Sequence, residues 1–194
     1  MSAGARLPLA EARAAALDVV SLLAPACEQI EVAGSIRRGA ETAGDIEIVA
    51  TPRFRVEETP GTLFDGPARV EIDELGERIT VLLSRGALAP PLRPASGERY
   101  RRLVHVASGL QLDLFAVRPP AQWGVILAIR TGPAAYSQWL VVQARKRHLH
   151  VAGGALHRGG LGCGAIPCEV IETPEEADLY RALGLPFEQA ENRR

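Results

Sequence analysis

The sequence predicts an α+β fold, because segments that alternate polar and apolar residues are interspersed with segments of helical periodicity. Alternation over five to seven residues indicates a half-buried strand. The segments with this pattern are residues 29–33, 45–50, 100–106 and 111–117. The last two flank Ser108-Gly109, which predicts a hairpin. Before residue 131 the pattern is that of a βαβ-like body.

Helices are predicted where apolar residues recur at intervals of three and four. These segments are residues 8–24, 73–85, from Pro119-Pro120 to about 130, 134–147 and 174–183. Residues 52–70, 87–98 and 152–168 are rich in glycine, proline or charge, and we expect loops there, with short strands at best in the last segment. The composition shifts at Thr131-Gly132-Pro133, which divides the chain into residues 1–130 and 131–194.

The composition excludes several classes of protein. The chain has 194 residues, of which 47% are hydrophobic, so a real core can form. The net charge of −1 gives no overall basic field for nucleic acid, so such binding must use local patches. Three cysteines do not suggest a disulfide framework. With no signal-peptide pattern and no long apolar run, we expect no membrane span and a cytoplasmic protein.

A candidate phosphate loop follows the first predicted strand. Gly34 allows a phosphate to approach the backbone closely, and Ser35 adds a hydroxyl donor. A helix that begins here would point free backbone N–H groups at an anion. We expect at least one guanidinium of Arg37 and Arg38 to reach a triphosphate. The alternative for this segment alone is a tight turn with two solvated arginines.

Three carboxylates form the candidate metal site. Asp45 and Glu47 are two residues apart on a predicted strand and therefore share a face. Asp113 interrupts an apolar strand, and it would join them if that strand neighbours residues 45–49. Such crowding favours a hard cation such as magnesium and indicates two-metal chemistry. The alternatives are a wet acidic strand face and, for Asp113, an ordinary ion pair.

With these residues in place, the chain resembles the family X DNA polymerases. Residues 34–47 (GSIRRGAETAGDIE) match the palm motif of that family without a gap. Further similar segments follow in the same order along the chain. They are Gln111-Leu112-Asp113-Leu114, Trp123-Gly124, Thr131-Gly132, residues 182–187 (ALGLPF) and Asn192-Arg193.

The resemblance implies a nucleotidyltransferase palm, with a mixed β-sheet and helices on one face, followed by a small C-terminal thumb. It implies that Asp45 and Glu47 bind two magnesium ions, and that Asp113 binds the ion at the primer 3′-hydroxyl. Manganese is the alternative ion. The residues implied at the nucleotide are Gly34, Ser35, Arg38, Gly44, Gly132 and Pro133. The bond from Gly132 to Pro133 is expected to be cis, which costs only about 0.5–1 kcal/mol before proline.

The implied activity is gap-filling or repair DNA synthesis from a nucleoside triphosphate on primer-template or gapped DNA. The side chains expected to contact DNA are Arg101, Arg102, Arg145 and Lys146. The lyase and fingers regions of the family have no counterpart in these residues, so we expect a protein partner to supply them. The sequence departs from the family at Glu47, which is usually Asp, at Gln111, and at Ile129-Arg130, which replaces an aromatic pair.

Two other functions stay open at this point. One is nucleotide transfer to a small molecule, a protein or tRNA. The other is a non-catalytic module that binds nucleotide or DNA. A structural zinc site in the thumb would draw on His148, His150, His157, Cys163 and Cys168, but their spacing follows no standard pattern, and loop residues are the better interpretation.

Overall fold

The computed structural model describes residues 6–59, 68–92, 97–159 and 169–193, and it has the α+β fold expected from the sequence. The helices are α1 (Leu9–Leu23), α2 (Gly34–Arg37), α3 (Glu74–Ser84), α4 (Trp123–Thr131), α5 (Ala134–Lys146) and α6 (Glu176–Ala182). The strands are β1 (Leu7–Pro8), β2 (Cys27–Val32), β3 (Thr42–Ala43), β4 (Asp45–Pro52), β5 (Phe54–Thr59), β6 (Ala68–Asp73), β7 (Leu88–Ala89), β8 (Tyr100–His105), β9 (Gln111–Ala116), β10 (Leu149–Ala152), β11 (Ala155–Arg158) and β12 (Glu169–Ile171). No helix within these residues is both long enough and apolar enough to cross a bilayer.

A mixed five-stranded sheet organises the first two thirds of the chain. Its strand order is β2-β4-β9-β8-β7. Strands β4 and β9 run parallel, and the other neighbouring pairs are antiparallel. The expected hairpin joins β8 to β9, with Gly109 in the left-handed region at φ 71°. The pairing of β4 with β9 confirms that the strand of Asp113 lies beside the strand of Asp45 and Glu47.

The two faces of this sheet have different coverings. Helices α1 and α3 pack on one face, where they bury Ile46, Ile48, Leu112 and Leu114. Helix α4 packs on part of the other face, where Trp123 and Leu127 contact Val49 and Phe115. The expectation of helices on one face alone is therefore wrong in detail. The apolar pair Val49 and Phe115 extends past the carboxylates, and it requires a cover of its own.

A second core lies in the C-terminal part of the chain. Strands β10, β11 and β12 form a small antiparallel sheet. Side chains from α4, α5, α6 and this sheet form one buried cluster that includes Val125, Leu140, Leu156 and Tyr180. Helix α4 thus contributes to the cores on both sides of it. The division at residue 131 falls at the C-terminal end of this shared helix, and it stays a prediction.

The prediction of an irregular segment over residues 52–70 is wrong for its described parts, residues 52–59 and 68–70, while residues 60–67 lie outside the described residues. Strands β5 and β6 pair as an antiparallel ribbon in register from Phe54–Asp73 to Thr59–Ala68. Cross-strand charge pairs stabilise it, including Arg69 with Glu58 at 3.4 Å. Charged and apolar residues alternate in both strands. The high charge and the nearby glycine and proline residues made the segment resemble a loop in the sequence.

Two local predictions around α4 are also wrong. The helix begins at Trp123 and not at the two prolines, because Gln122 is extended and serves as its N-cap. The Gln122 side-chain oxygen accepts hydrogen bonds from the backbone N–H and the hydroxyl of Thr173. The bond between Gly132 and Pro133 is not among the cis peptides of the described residues, where Pro119-Pro120 is cis. A trans bond is the lower-energy form even before proline, and here Pro133 leads directly into α5 as its N-cap.

Candidate active site

Three carboxylates meet on one face of the central sheet. In the parallel register of β4 and β9, Glu47 pairs with Asp113, and Asp45 pairs with Gln111. Residues two apart on a strand, and residues paired across strands, point to the same face. This is the sheet face opposite to the one that α1 and α3 cover. The structure therefore brings Asp45, Glu47 and Asp113 together as the sequence predicted.

Burial and mutual repulsion make two of these carboxyl groups hard to ionise. Burial raises the pKa of Glu47 to about 7, and the charges of Asp45 and Asp113 add to the increase. Burial also raises the pKa of Asp45, with Asp113 as the next cause. The guanidinium groups of Arg38 and Arg130 oppose the shift at Glu47. A cation between these groups would relieve the repulsion.

Asp113 is held by side chains of β8 and β9. The Tyr100 hydroxyl donates to Asp113 Oδ1 at 2.8 Å, and Arg102 Nε donates to the same oxygen at 3.0 Å. Gln111 Nε2 lies 3.2 Å from Asp113 Oδ2. The ordinary ion pair considered above is thus present, with Arg102 as the partner. It fixes the carboxylate of Asp113 on the same face as Asp45 and Glu47.

The donor chemistry of the three carboxylates suits magnesium or manganese. All the ligand atoms on offer are carboxylate oxygens, which these hard cations prefer. The pKa values of Asp45 and Glu47 are raised first by burial and then by neighbouring carboxylates, and a bound cation would oppose both effects. Within the described part of the chain, no group of three His, Cys, Asp or Glu residues is already arranged as a metal cluster. The three side chains thus share a face without forming a closed cage.

The candidate phosphate loop places Gly34 directly against Glu47. Gly34 begins α2 with φ 61°, in the left-handed region that glycine tolerates. A Cβ atom at this position would overlap the Glu47 carboxylate. The first-turn N–H groups of α2 have no acceptor within the helix, and Ser35 lies among them. The loop therefore borders the carboxylates, and only a glycine fits beneath Glu47.

The two arginines of the loop have different surroundings. Arg37 donates to Thr131 Oγ1 and to Glu176 Oε2, both at 2.7 Å. Glu176 is buried, and its other oxygen accepts from Arg193 at 2.7 Å. Arg37 is therefore half-buried and engaged within the protein, because it ties the loop to α4 and α6. Thr131 and Glu176 are partners that no local sequence pattern revealed.

Arg38 is the loop arginine that faces the carboxylates. Its Nη1 donates to the Thr131 carbonyl oxygen at 2.6 Å. Burial lowers the pKa of this guanidinium, whereas Glu47 and Asp45 raise it. Of the two arginines, Arg38 is the one whose surroundings match the expected contact with a triphosphate, and that contact stays a prediction.

The remaining predicted nucleotide contacts lie around this loop. Gly44 immediately precedes β4, where a Cβ would lie 3.2 Å from Arg6 Nη1. Gly132 follows α4, where a Cβ would lie 2.9 Å from Tyr136 Cδ1. Both glycines thus allow close packing of neighbouring side chains. Close packing therefore explains why glycine stands at both positions, whereas contact of either glycine with a nucleotide stays a prediction.

The predicted DNA contacts are divided between two faces and the thumb. Arg102 lies on the carboxylate face, where it pairs with Asp113. Arg101 points to the other face, where its Nη2 lies 3.0 Å from Asp73 Oδ2. Arg145 and Lys146 are exposed in the last turn of α5. Arg101 is thus the member of this group that the structure does not bring to the site or to an open surface.

A cluster that sequence reasoning missed lies beside the carboxylates, and we name Tyr100, Phe115 and Arg130 the aromatic–arginine cluster. The Tyr100 and Phe115 rings stack with centroids 5.2 Å apart. The Arg130 guanidinium carbon lies 4.0 Å from the Phe115 centroid. Only the replacement of an expected aromatic residue by Arg130 could have drawn attention to this position.

The thumb histidines give no metal centre among the described residues. His150 and His157 are paired across β10 and β11, and their rings stack with centroids 5.1 Å apart. His148 has φ 57° just before β10. Cys163 and Cys168 lie outside the described residues.

The chain is distantly similar to a known DNA polymerase. No family model matches the chain. The chain is 26% identical over 176 residues to DNA polymerase lambda of Rattus norvegicus. The similarity covers 82% of this chain but only 28% of that polymerase. The chain thus spans less than a third of the length of that polymerase. This similarity favours a polymerase-like nucleotidyltransferase.

Proposed function

We propose that this chain is a metal-dependent nucleotidyltransferase of the family X type, with a palm and a thumb. It adds a nucleotide from a nucleoside triphosphate to a DNA 3′-hydroxyl, as in gap filling or repair synthesis. The observation that carries the proposal is the parallel register of β4 and β9. This register sets Asp113 beside Glu47 on a face that also borders the glycine loop and Arg38.

The residues around the site divide the work of the transfer. Asp45 and Glu47 would hold two magnesium ions, and Asp113 would share the ion nearest the acceptor. Bound ions of this kind polarise phosphoryl oxygens and offset charge on the leaving pyrophosphate. Arg38 and the glycine loop would bind the triphosphate oxygens. Tyr100 and Arg102 would keep the Asp113 carboxylate oriented toward the acceptor hydroxyl.

The reaction itself requires little covalent chemistry from the protein. The acceptor oxygen forms a bond to the α-phosphorus, and the bond from that phosphorus to the pyrophosphate oxygen breaks. The hydroxyl proton leaves on the side of Asp113. Catalysis of this type depends on positioning and charge stabilisation. The carboxylates on β4 and β9 would provide the positioning, because they lie on paired strands and not on loops, and the cations that they would hold would supply the charge stabilisation.

The proposal is tested by extension of gapped and primed DNA with defined templates, in magnesium and in manganese. The wild-type chain should add templated nucleotides, and Asp113→Asn should not. Glu31→Gln, an exposed carboxylate on β2, is the matched control and should retain activity. If the purified chain adds no nucleotide to any DNA acceptor, DNA synthesis is not its activity.

A second candidate is transfer to a small molecule, a protein or tRNA. The structure favours keeping it because two arginines expected to contact DNA are engaged in ion pairs, Arg101 with Asp73 and Arg102 with Asp113. Fewer cationic side chains remain for a phosphate backbone in a chain of net charge −1. Transfer of labelled nucleotide to tRNA or protein, with none to DNA, would establish this activity instead.

A further inference from the structure

The aromatic–arginine cluster lies beside the candidate site and has one exposed member, Arg130. Phe115 is two residues from Asp113 on β9 and therefore shares its sheet face. The Phe115 ring is almost fully buried, whereas Arg130 is exposed at the end of α4. The Arg130 guanidinium carbon lies over the Phe115 ring, 4.0 Å from its centroid, while the Arg130 side chain remains exposed to solvent. The exposed end of this cluster is thus a planar cationic group.

Both ends of the cluster are fixed to the site. Tyr100 stacks on Phe115 and donates its hydroxyl to Asp113, so the rings are anchored to a carboxylate. Arg130 immediately precedes Thr131, whose carbonyl and hydroxyl oxygens accept from Arg38 and Arg37 of the glycine loop. The platform therefore has a defined position between the phosphate loop and the carboxylates.

Arg130 itself has no polar partner among the described residues that would explain its position. No carboxylate or carbonyl there accepts a hydrogen bond from it, although its charge acts on nearby Glu47. Three other arginines around the site, Arg37, Arg38 and Arg102, each donate to a named oxygen. Stacking on Phe115 is what orients Arg130, and stacked guanidinium planes are surfaces on which proteins bind nucleobases.

We propose that Arg130, supported by Phe115 and Tyr100, is a stacking platform for a nucleobase at the active site. The base belongs either to the incoming nucleotide or to the terminal nucleotide of the acceptor. This inference rests on the proposed function, because it places a nucleotide substrate beside the carboxylates. Stacking is tolerant of base identity, so the platform contributes affinity without selecting one base.

Two substitutions separate stacking from charge. Arg130→Lys keeps the positive charge and removes the plane, whereas Arg130→Phe keeps a plane and removes the charge. Arg130→Ala removes both. Because Arg130 is exposed, each variant should fold, which the thermal midpoint checks. If Arg130 acted by binding phosphate, the Lys variant would be the better one, and if it stacks a base, the Phe variant would be.

The experiment measures binding by the fluorescence quenching of 2-aminopurine, in magnesium. In the nucleotide arm, the probe is an α,β-methylene 2-aminopurine triphosphate, and the reference competitor is a deoxyribose triphosphate that lacks a base. In the acceptor arm, the probe is a DNA primer ending in 2-aminopurine, and the reference is the same primer with an abasic end. Wild-type protein should prefer the base by about 5- to 150-fold in one arm.

The expected result is that this preference is lost in Arg130→Ala and Arg130→Lys and kept in Arg130→Phe. If the preference survives in Arg130→Ala in the arm where the wild type shows it, or if Arg130→Lys keeps it and Arg130→Phe loses it, the platform is overturned. The same holds if the wild type shows no preference in either arm. Failure of the proposed function looks different, since base-dependent binding would then persist without nucleotide transfer to any acceptor.

Discussion

The two faces of the central sheet are built from the same strands but by different rules. One face is apolar and continuous, with Ile46, Ile48 and Leu114 buried under α1 and α3. On the other face, the positions of β4 that alternate with Ile46 and Ile48 carry the carboxylates of Asp45 and Glu47. Arginines and aromatic rings border this face. Stability therefore comes mainly from one face, and the chemistry we propose depends on the other.

The difference lies in how each face is satisfied. The apolar face needs only hydrophobic cover, which any well-packed helix supplies. On the carboxylate face, burial and then the repulsion between like charges raise the pKa values of Asp45 and Glu47. The arginines of this face are Arg38 at the C-terminal end of α2, Arg102 of β8 and Arg130 of α4. The burial of apolar side chains on the opposite face offsets the cost of this face in the free energy of folding.

The largest expected effect is on the carboxylate face and concerns activity alone. Asp45→Ala should lower nucleotide transfer about a thousandfold or more, because a metal ligand and its charge are lost. It should leave the fold intact in metal-free buffer, since it removes one of several crowded like charges. Magnesium should raise the thermal midpoint of the wild type and not of the variant.

Single-turnover assays and thermal melts with and without magnesium measure these effects. Glu31→Gln on the edge strand β2 is the control and should match the wild type in both. Wild-type turnover by Asp45→Ala would contradict the assignment of the carboxylate face as the catalytic one.

The apolar face should show the opposite behaviour. Leu23→Ala at the end of α1 removes a fully buried side chain and should lower the free energy of unfolding by about 2–4 kcal/mol. Its effect on transfer per folded molecule should be small. Leu17 lies on the same helix but is 56% exposed, so Leu17→Ala should cost less than about 0.5 kcal/mol.

Urea denaturation gives both values. Equal losses for Leu23→Ala and Leu17→Ala would show that burial under the sheet does not determine the stability of α1.

The pH dependence of stability sharpens the contrast between the faces. Glu47 titrates at a pKa of about 7 in the folded protein, against an ordinary value of 4.5. Between these values the folded protein holds a proton that the unfolded chain has released. The free energy of unfolding should therefore be highest below pH 4.5 for this group and fall as pH rises to 7, by about 2–3 kcal/mol.

Denaturation at several pH values in a chelating buffer tests this expectation. Glu47→Gln should flatten the fall, with the residual slope due to Asp45, whose pKa is raised in the same direction. Glu57→Gln, an exposed carboxylate of the ribbon, is the control and should keep the wild-type slope. An unchanged slope in Glu47→Gln would mean that this carboxyl is ionised throughout.

Sequence patterns predicted the apolar face better than the polar one. The patterns of residues 45–50 and 111–117 predicted two strands, and a carboxylate site required that these strands be neighbours, which the structure confirms. The ribbon of β5 and β6 was missed, because charge in a strand resembles a loop. The partners of the arginines could not be predicted at all. Arg37 pairs with Glu176, 139 residues away, through a contact that exists only after folding.

The smallest expected effect is on the salt dependence of DNA affinity, and it separates Arg101 of β8 from the exposed cations of the thumb. For duplex DNA, each phosphate contact contributes about −0.9 to the slope of log affinity against log salt concentration. Arg101 is held by Asp73 on the helix-covered face, whereas Arg145 and Lys146 are exposed on α5. The exposed cations Arg145, Lys146 and Arg147 of the thumb give roughly three contacts, so the slope should be about −3. Lys146→Gln should reduce its magnitude by about 0.9, and Arg101→Gln should leave it unchanged.

Titration of fluorescent gapped DNA at several salt concentrations measures both slopes. A shift caused by Arg101→Gln would place that side chain on DNA after all, whereas a wild-type slope near zero would remove duplex DNA as the substrate and favour the small-acceptor activity.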